Sequence, residues 1–233
     1  AFGEIYKKAA LASGVIPQIT AVFGNCGGGL AVLASLSDFC FMEGKKARLF
    51  INSPNALAGN YKEKNDTASA LYQSKSGLVD YVGESEADVL SKIRDLVSIL
   101  PSNNEDDASY DECTDDLNRL LPSFASEIAD SKRALIDISD NNYFFEVKPN
   151  YAKEMVTGFI RLNGITVGAI ANRTEVTDEN GKIAERYDGT LTTAGCYKAE
   201  SFVKICDAFN IPILTLTNVN GYKATVEDEK SIA

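Results

Sequence analysis

Apolar and polar positions follow two rhythms along this chain, one helical and one of short continuous apolar runs. Residues 1–13 (Ala-Phe-Gly-Glu-Ile-Tyr-Lys-Lys-Ala-Ala-Leu-Ala-Ser) carry apolar side chains at helical spacing, and Gly14 stops the helix. The run Ile16 to Phe23 contains Pro17, ends at a glycine and reads as a strand. Gly24-Asn25-Cys26-Gly27-Gly28-Gly29 follows as a turn, and Leu30 to Leu36 is a string of good helix formers. Asp38–Met42 and Ala47–Ile51 read as two short strands around a Glu43–Lys46 turn, nearly continuous in apolar character as strands covered on both faces are. Asn52–Asn55 is loop, Asp66 is expected to cap a short helix through about Lys75, and Leu78–Val82 reads as a strand. Glu84 to Leu100 is an amphipathic helix with Val89, Ile93, Leu96 and Leu100 inside and Pro101 as its stop.

The pattern breaks at Ser102–Asp116, a polar and acidic stretch that reads as a solvated interdomain linker. Carboxylate metal binding is the competing reading there, but the EF-hand spacing with its glycine and terminal glutamate is absent. Beyond it Ala134–Ile138 reads as helical and Tyr143–Val147 as extended. Val156–Leu162 and Thr166–Ala171 pair around Asn163-Gly164, a two-residue hairpin signal. Glu179-Asn180-Gly181-Lys182 marks a second hairpin tip. Ala194–Phe209 reads as a helix, Ile211–Thr217 as a buried strand, and Asn218–Tyr222 as a turn into Ala224–Ile232. The expected organisation is therefore a first domain over 1–101, an acidic linker over 102–133 and the start of a second domain over 134–233.

The two halves share a layout of helix, Ile-Pro strand, Asn/Gly turn. Gly14-Val15-Ile16-Pro17-Gln18-Ile19-Thr20 matches Phe209-Asn210-Ile211-Pro212-Ile213-Leu214-Thr215. Strands alternating with helices predict an α/β fold with ligands at the strands' carboxyl ends, where both turns sit.

Charge and composition narrow the chemistry. A net charge of -10 leaves no basic excess for nucleic-acid backbone. No apolar run approaches the roughly 20 residues of a membrane span, and no signal peptide is evident, so the chain reads as cut from a longer cytoplasmic protein. The five cysteines lack a C-x-x-C pair and read as reduced thiols. With no histidine in the chain, Ser-His-Asp relays and the usual zinc sets are excluded, and Cys26 has no imidazole to activate it. No metal site is expected.

The glycine turn is the candidate for chemistry. Gly29 is followed by Leu30, which excludes a phosphate-binding P-loop, and the sixth position counted from Gly27 is Val32, which excludes a dinucleotide fingerprint. Two readings remain open on the residues alone: a packing turn where backbones touch, and an oxyanion hole of unobstructed N–H groups at a helix start.

A wider set of residues carries a resemblance. Ala12-Ser13-Gly14-Val15-Ile16-Pro17-Gln18-Ile19, Cys26-x-Gly28-Gly29, Asp38-Phe39-x-Phe41-Met42, Asn150-Tyr151-Ala152-Lys153, Val156-Thr157-Gly158-Phe159 and Cys206-Asp207-Ala208-Phe209-Asn210-Ile211-Pro212 run in order along the chain. In these stretches it resembles the carboxyltransferase subunit of biotin-dependent acyl-CoA carboxylases and sodium-pumping acyl-CoA decarboxylases, in the crotonase superfamily. The resemblance implies a crotonase-like ββα superhelical fold, the end of one domain joined to the start of a second. It implies carboxylate transfer between biotin on a carrier protein and the α-carbon of an acyl-CoA of the acetyl, propionyl/methylmalonyl or glutaconyl class, through an enolate held by backbone donors, with biotin able to act as base. By position Gly28 and Gly29 correspond to a donor pair, with Cys26, Gly27, Asn218, Gly221 and Tyr222 lining substrate or cofactor. The implied partners are a biotin carboxyl carrier protein, copies of the subunit in a trimer or hexamer, and a biotin carboxylase or membrane decarboxylase subunit. Two departures stand out. The family's Asp-Val-Pro-Gly-Phe turn reads Asn218-Val219-Asn220-Gly221-Tyr222, and its second donor pair would follow Ala233. The alternatives are a non-catalytic CoA-binding assembly subunit and a crotonase-type enzyme that works without biotin.

Overall fold

Helix α1 (Phe2–Ala12) ends two residues before Gly14, whose φ of 71° gives the left-handed exit that a Cβ would disfavour. The chain then enters β1 (Ile19–Val22), β2 (Asn25–Gly27) and α2 (Gly29–Ser35), followed by β3 (Phe39–Glu43), β4 (Arg48–Phe50), α3 (Asn60–Glu63) and α4 (Ala70–Lys75), then β5 (Tyr81–Gly83) and α5 (Glu86–Ile99). This is a strand–strand–helix unit, repeated. The computed structural model describes residues 2–106, 110–178 and 180–230, in two compact units, Ala1–Asp106 and Asp107–Ala233.

In the first unit β1, β3 and β5 form one parallel sheet, and β2 pairs with β4 in a separate parallel ribbon. Every residue of β3 is buried, as the apolar run Phe39–Met42 requires, and the Glu43 carboxylate at its end accepts the N–H groups of Lys45, Lys46 and Ala47. Ala31 and Ala34 of α2 pack with Val22, Cys40, Met42 and Leu49 in the core, and small side chains there bring the helix close to the strands. Two local expectations shift. Ser69, not Asp66, caps α4 by accepting the Tyr72 N–H, while Asp66 contributes its backbone carbonyl to Ser69. On α5 the core face is Val89, Leu96 and Ile99, with Ile93 half-buried.

The second unit comprises α6 (Phe124–Glu127), α7 (Ser131–Ile138), β6 (Phe145–Val147), β7 (Met155–Leu162), β8 (Ile165–Asn172), β9 (Glu175–Thr177), β10 (Ile183–Arg186), β11 (Thr190–Leu191), α8 (Thr193–Ala208), β12 (Ile213–Leu216) and β13 (Gly221–Tyr222). Its sheet runs β12-β8-β7-β6, with β7 and β8 a full-length antiparallel hairpin. Asn163 and Gly164 both have positive φ, 52° and 78°, as the tight two-residue turn demands. One face of the sheet, Val156, Ile160, Val167, Ala169 and Ala171, packs on Leu135 of α7. The other carries Phe159 against Phe202 of α8, ring centroids 5.1 Å apart. Each such aromatic removed from water contributes on the order of 1.5–3 kcal/mol. β12 departs from the buried strand expected: it is an edge strand, pairing only with β8 among the described residues, and Ile213 and Thr215 are exposed.

The stretch read as linker is ordered in part. Asp115 accepts the Asn141 N–H and the Arg119 guanidinium, and Arg119 donates to the Ser139 carbonyl at 2.8 Å, so these charges fasten the acidic segment to the second unit. Asp106, Asp111 and Asp115 are met by Asn103, Arg161 and Arg119, and no group of three or more His, Cys, Asp or Glu is placed to hold a metal among the described residues. At the second hairpin tip Glu179 lies outside the described residues, while Gly181 has a φ of 77°.

Candidate functional site

The glycine turn is built by strand pairing before it reaches the helix. β2 lies parallel to β4 with Cys26 opposite Leu49 and Gly27 opposite Phe50, and the Gly28 N–H donates to the Phe50 carbonyl at 3.0 Å. Gly28 then turns with φ 59° and ψ -125°, a conformation that is accessible in practice to glycine alone. Its carbonyl accepts the N–H groups of Ala31 at 3.1 Å and Val32 at 3.3 Å. The N–H groups left without an acceptor in the helix are those of Gly29 and Leu30. Of the expected pair Gly28 and Gly29, the Gly28 N–H donates to β4, and the adjacent N–H groups without a helix acceptor are those of Gly29 and Leu30.

Each glycine is needed for a different reason. A Cβ on Gly27 would stand 2.7 Å from the Phe50 ring. At Gly28 there is open space, but the backbone is unsuited to an L side chain. At Gly29 a Cβ would meet the Tyr6 hydroxyl at 2.8 Å and the Phe2 ring at 3.3 Å. Tyr6 itself donates to the Gly29 carbonyl at 2.7 Å and stacks on Phe2. Aromatic side chains thus cover the Cβ side of Gly27 and of Gly29, while Gly28 between them faces open space. α2 spans only seven residues, so direct N–H donation, rather than a long macrodipole, is what the turn offers an oxygen atom.

The Cys26 side chain packs against the core of the first unit, and burial pushes its thiol pKa up. It is a partly buried residue packed against that core, and its raised pKa does not suit a nucleophile.

Asn218, Gly221 and Tyr222 lie in the second unit, apart from the glycine turn in the fold's division. The Asn218 N–H donates to the Asn172 carboxamide oxygen at 2.7 Å, and the same carboxamide donates to the Asn218 carbonyl. Gly221 and Tyr222 pair in parallel with Thr190 and Leu191, and the Lys223 N–H donates to the Leu191 carbonyl at 2.9 Å. The second turn therefore repeats the short parallel pairing of the first without leading into an α-helix among the described residues. Tyr222 is 73% exposed and borders a cavity of about 230 Å³ with Thr192, Thr193, Cys196 and Lys223.

Leu30, Tyr6, Phe2 and Phe50 complete the turn and were not singled out from the sequence. Nothing local marks Tyr6, which is 23 positions from its partner. The Leu30 donor was legible in principle, because the first turn of any helix leaves its N–H groups without partners.

Comparisons with known proteins now bear on this geometry. The carboxyl transferase domain family matches residues 1–231. The alpha subunit of methylmalonyl-CoA decarboxylase from Propionigenium modestum is 33% identical over 98% of this chain and 44% of its own length. The mitochondrial propionyl-CoA carboxylase beta chain of Homo sapiens is 33% identical over 95% of this chain and 41% of its own length. Among solved structures, the transcarboxylase 12S hexamer with hydrolysed methylmalonyl-coenzyme A bound superposes with a TM-score of 0.86 at 29% identity, over 98% of this chain and 44% of that one. The chain spans less than half the length of these relatives.

Proposed function

The chain belongs to the carboxyl transferase domain family, and from that premise we propose that the complete protein moves a carboxyl group between biotin on a carrier protein and the α-carbon of an acyl-CoA. The names of the relatives favour the methylmalonyl/propionyl class of thioester. Biotin, when presented by its carrier, supplies or receives the carboxyl group. What this chain's residues do follows from the glycine turn. Gaining or losing a carboxylate at the α-carbon passes negative charge to the thioester oxygen, and two adjacent backbone N–H groups can stabilise that oxygen as charge develops. The Gly29 and Leu30 donors suit this role, and the open space at Gly28 leaves that side of the turn free for a thioester to approach.

The single observation that carries the reading is that donor pair in a chain of this family. One pair serves one carbonyl oxygen. In the turn Asn218–Tyr222 the Asn218 N–H is held by Asn172. The turn itself brings no general base, and it is fitted to polarise an oxygen rather than to move a proton. The partners proposed are a biotin carboxyl carrier protein and further copies of the subunit, by analogy with the transcarboxylase 12S hexamer. The cytoplasm is the compartment proposed, on five cysteines with no C-x-x-C pair that read as reduced thiols.

Initial-rate carboxyl transfer from methylmalonyl-CoA to free biotin, using the full-length protein, tests the proposal. Transfer is expected. A folded oligomer that binds the acyl-CoA yet transfers nothing would favour the non-catalytic assembly subunit instead. Hydration or hydrolysis of the acyl-CoA without biotin would favour the biotin-independent alternative.

A further inference from the structure

We propose that Tyr6 is a positioning residue for carboxyl transfer, holding the Gly29–Leu30 peptide so that the Leu30 N–H stays in place beside that of Gly29. The inference rests on the function proposed above and extends it to a side chain 23 positions upstream.

The peptide unit is planar, so its carbonyl and N–H point in opposite directions and fixing one end fixes the other. The two donors of the turn are the N–H ends of consecutive peptide units. In the first unit, the Gly28 carbonyl is held by the Ala31 and Val32 N–H groups, which anchors the Gly29 N–H. In the second, the Gly29 carbonyl receives the Tyr6 hydroxyl at 2.7 Å, which anchors the Leu30 N–H. A carbonyl oxygen has two lone pairs, so Tyr6 can bind alongside any helix partner. Hydrogen bonding to the carbonyl also polarises the peptide and strengthens its N–H as a donor. The Tyr6 ring is itself fixed by stacking on Phe2, ring centroids 5.9 Å apart. Its hydroxyl lies 2.8 Å from where a Gly29 Cβ would stand, so the same contact requires glycine at this position.

Tyr6→Phe keeps the ring and removes the hydroxyl. In the full-length protein, kcat for transfer from methylmalonyl-CoA to free biotin should fall about tenfold, with KM for the acyl-CoA within about twofold, because the donor is misaligned but present. The melting temperature should be unchanged. Gly29→Ala should lose less activity in the Tyr6→Phe background than in the wild type, since the clashing hydroxyl is gone. Wild-type kcat in Tyr6→Phe would overturn the role of Tyr6 and leave the proposed function standing. A fall in kcat that only tracks a fall in melting temperature would reduce Tyr6 to packing and overturn it too. No transfer by a folded wild type would overturn both.

Discussion

Lys198 is buried, 1% exposed, with its Nζ donating to the Tyr151 carbonyl at 2.8 Å. Burial lowers its pKa to about 7; Glu146 and Glu154 oppose this, and Arg173 and Lys148 reinforce it. An unfolded lysine titrates near about 10.4, so between roughly pH 7 and 10.4 the unfolded chain binds the proton and the folded one releases it. Stability from this group therefore rises with pH across that window, by up to about 1.4 kcal/mol per pH unit. Urea unfolding at pH 7.5 and 9.5 should show the wild type gaining on Lys198→Met as pH rises. Parallel behaviour of the two proteins would contradict the assignment. The sequence offered no hint of this, since Lys198 lies in a helix where lysine is an ordinary surface residue.

The elements show what local chemistry can and cannot specify. The β7–β8 hairpin was legible because Asn163-Gly164 is a turn with its own backbone preference. The strand β2 was not: Asn25–Gly27 has no strand propensity, and its conformation comes from pairing with β4. The edge position of β12 was hidden for a related reason, because a short apolar run does not say how many neighbours will cover it. Close packing between elements gives a further expectation. A Cβ on Gly168 of β8 would stand 2.6 Å from the Cys206 sulfur and 3.2 Å from the Phe202 ring, both on α8. Gly168→Ala should destabilise the protein by about 1–3 kcal/mol, read as a lower urea midpoint with an unchanged slope. An unaltered midpoint would mean that α8 can retreat from the sheet at little cost.

At the scale of the molecule, the shared layout of helix, Ile-Pro strand and Asn/Gly turn was legible, and the structure gives both halves a residue of positive φ before that strand, at Gly14 and Asn210. The glycine turn was also legible as a place. Which N–H groups it leaves open was not, because that depends on Phe50 taking the Gly28 donor and Tyr6 holding the Gly29 carbonyl. The central claim is that this turn stabilises the thioester oxygen during carboxyl transfer. The most direct measurement is the transfer rate from methylmalonyl-CoA to free biotin for full-length Gly29→Ala beside the wild type, with acyl-CoA affinity and oligomeric state measured on the same samples. The account predicts a folded oligomer whose kcat falls by about 10²-fold or more, the cost expected when an oxyanion donor is displaced. A folded variant with the wild-type kcat would contradict it.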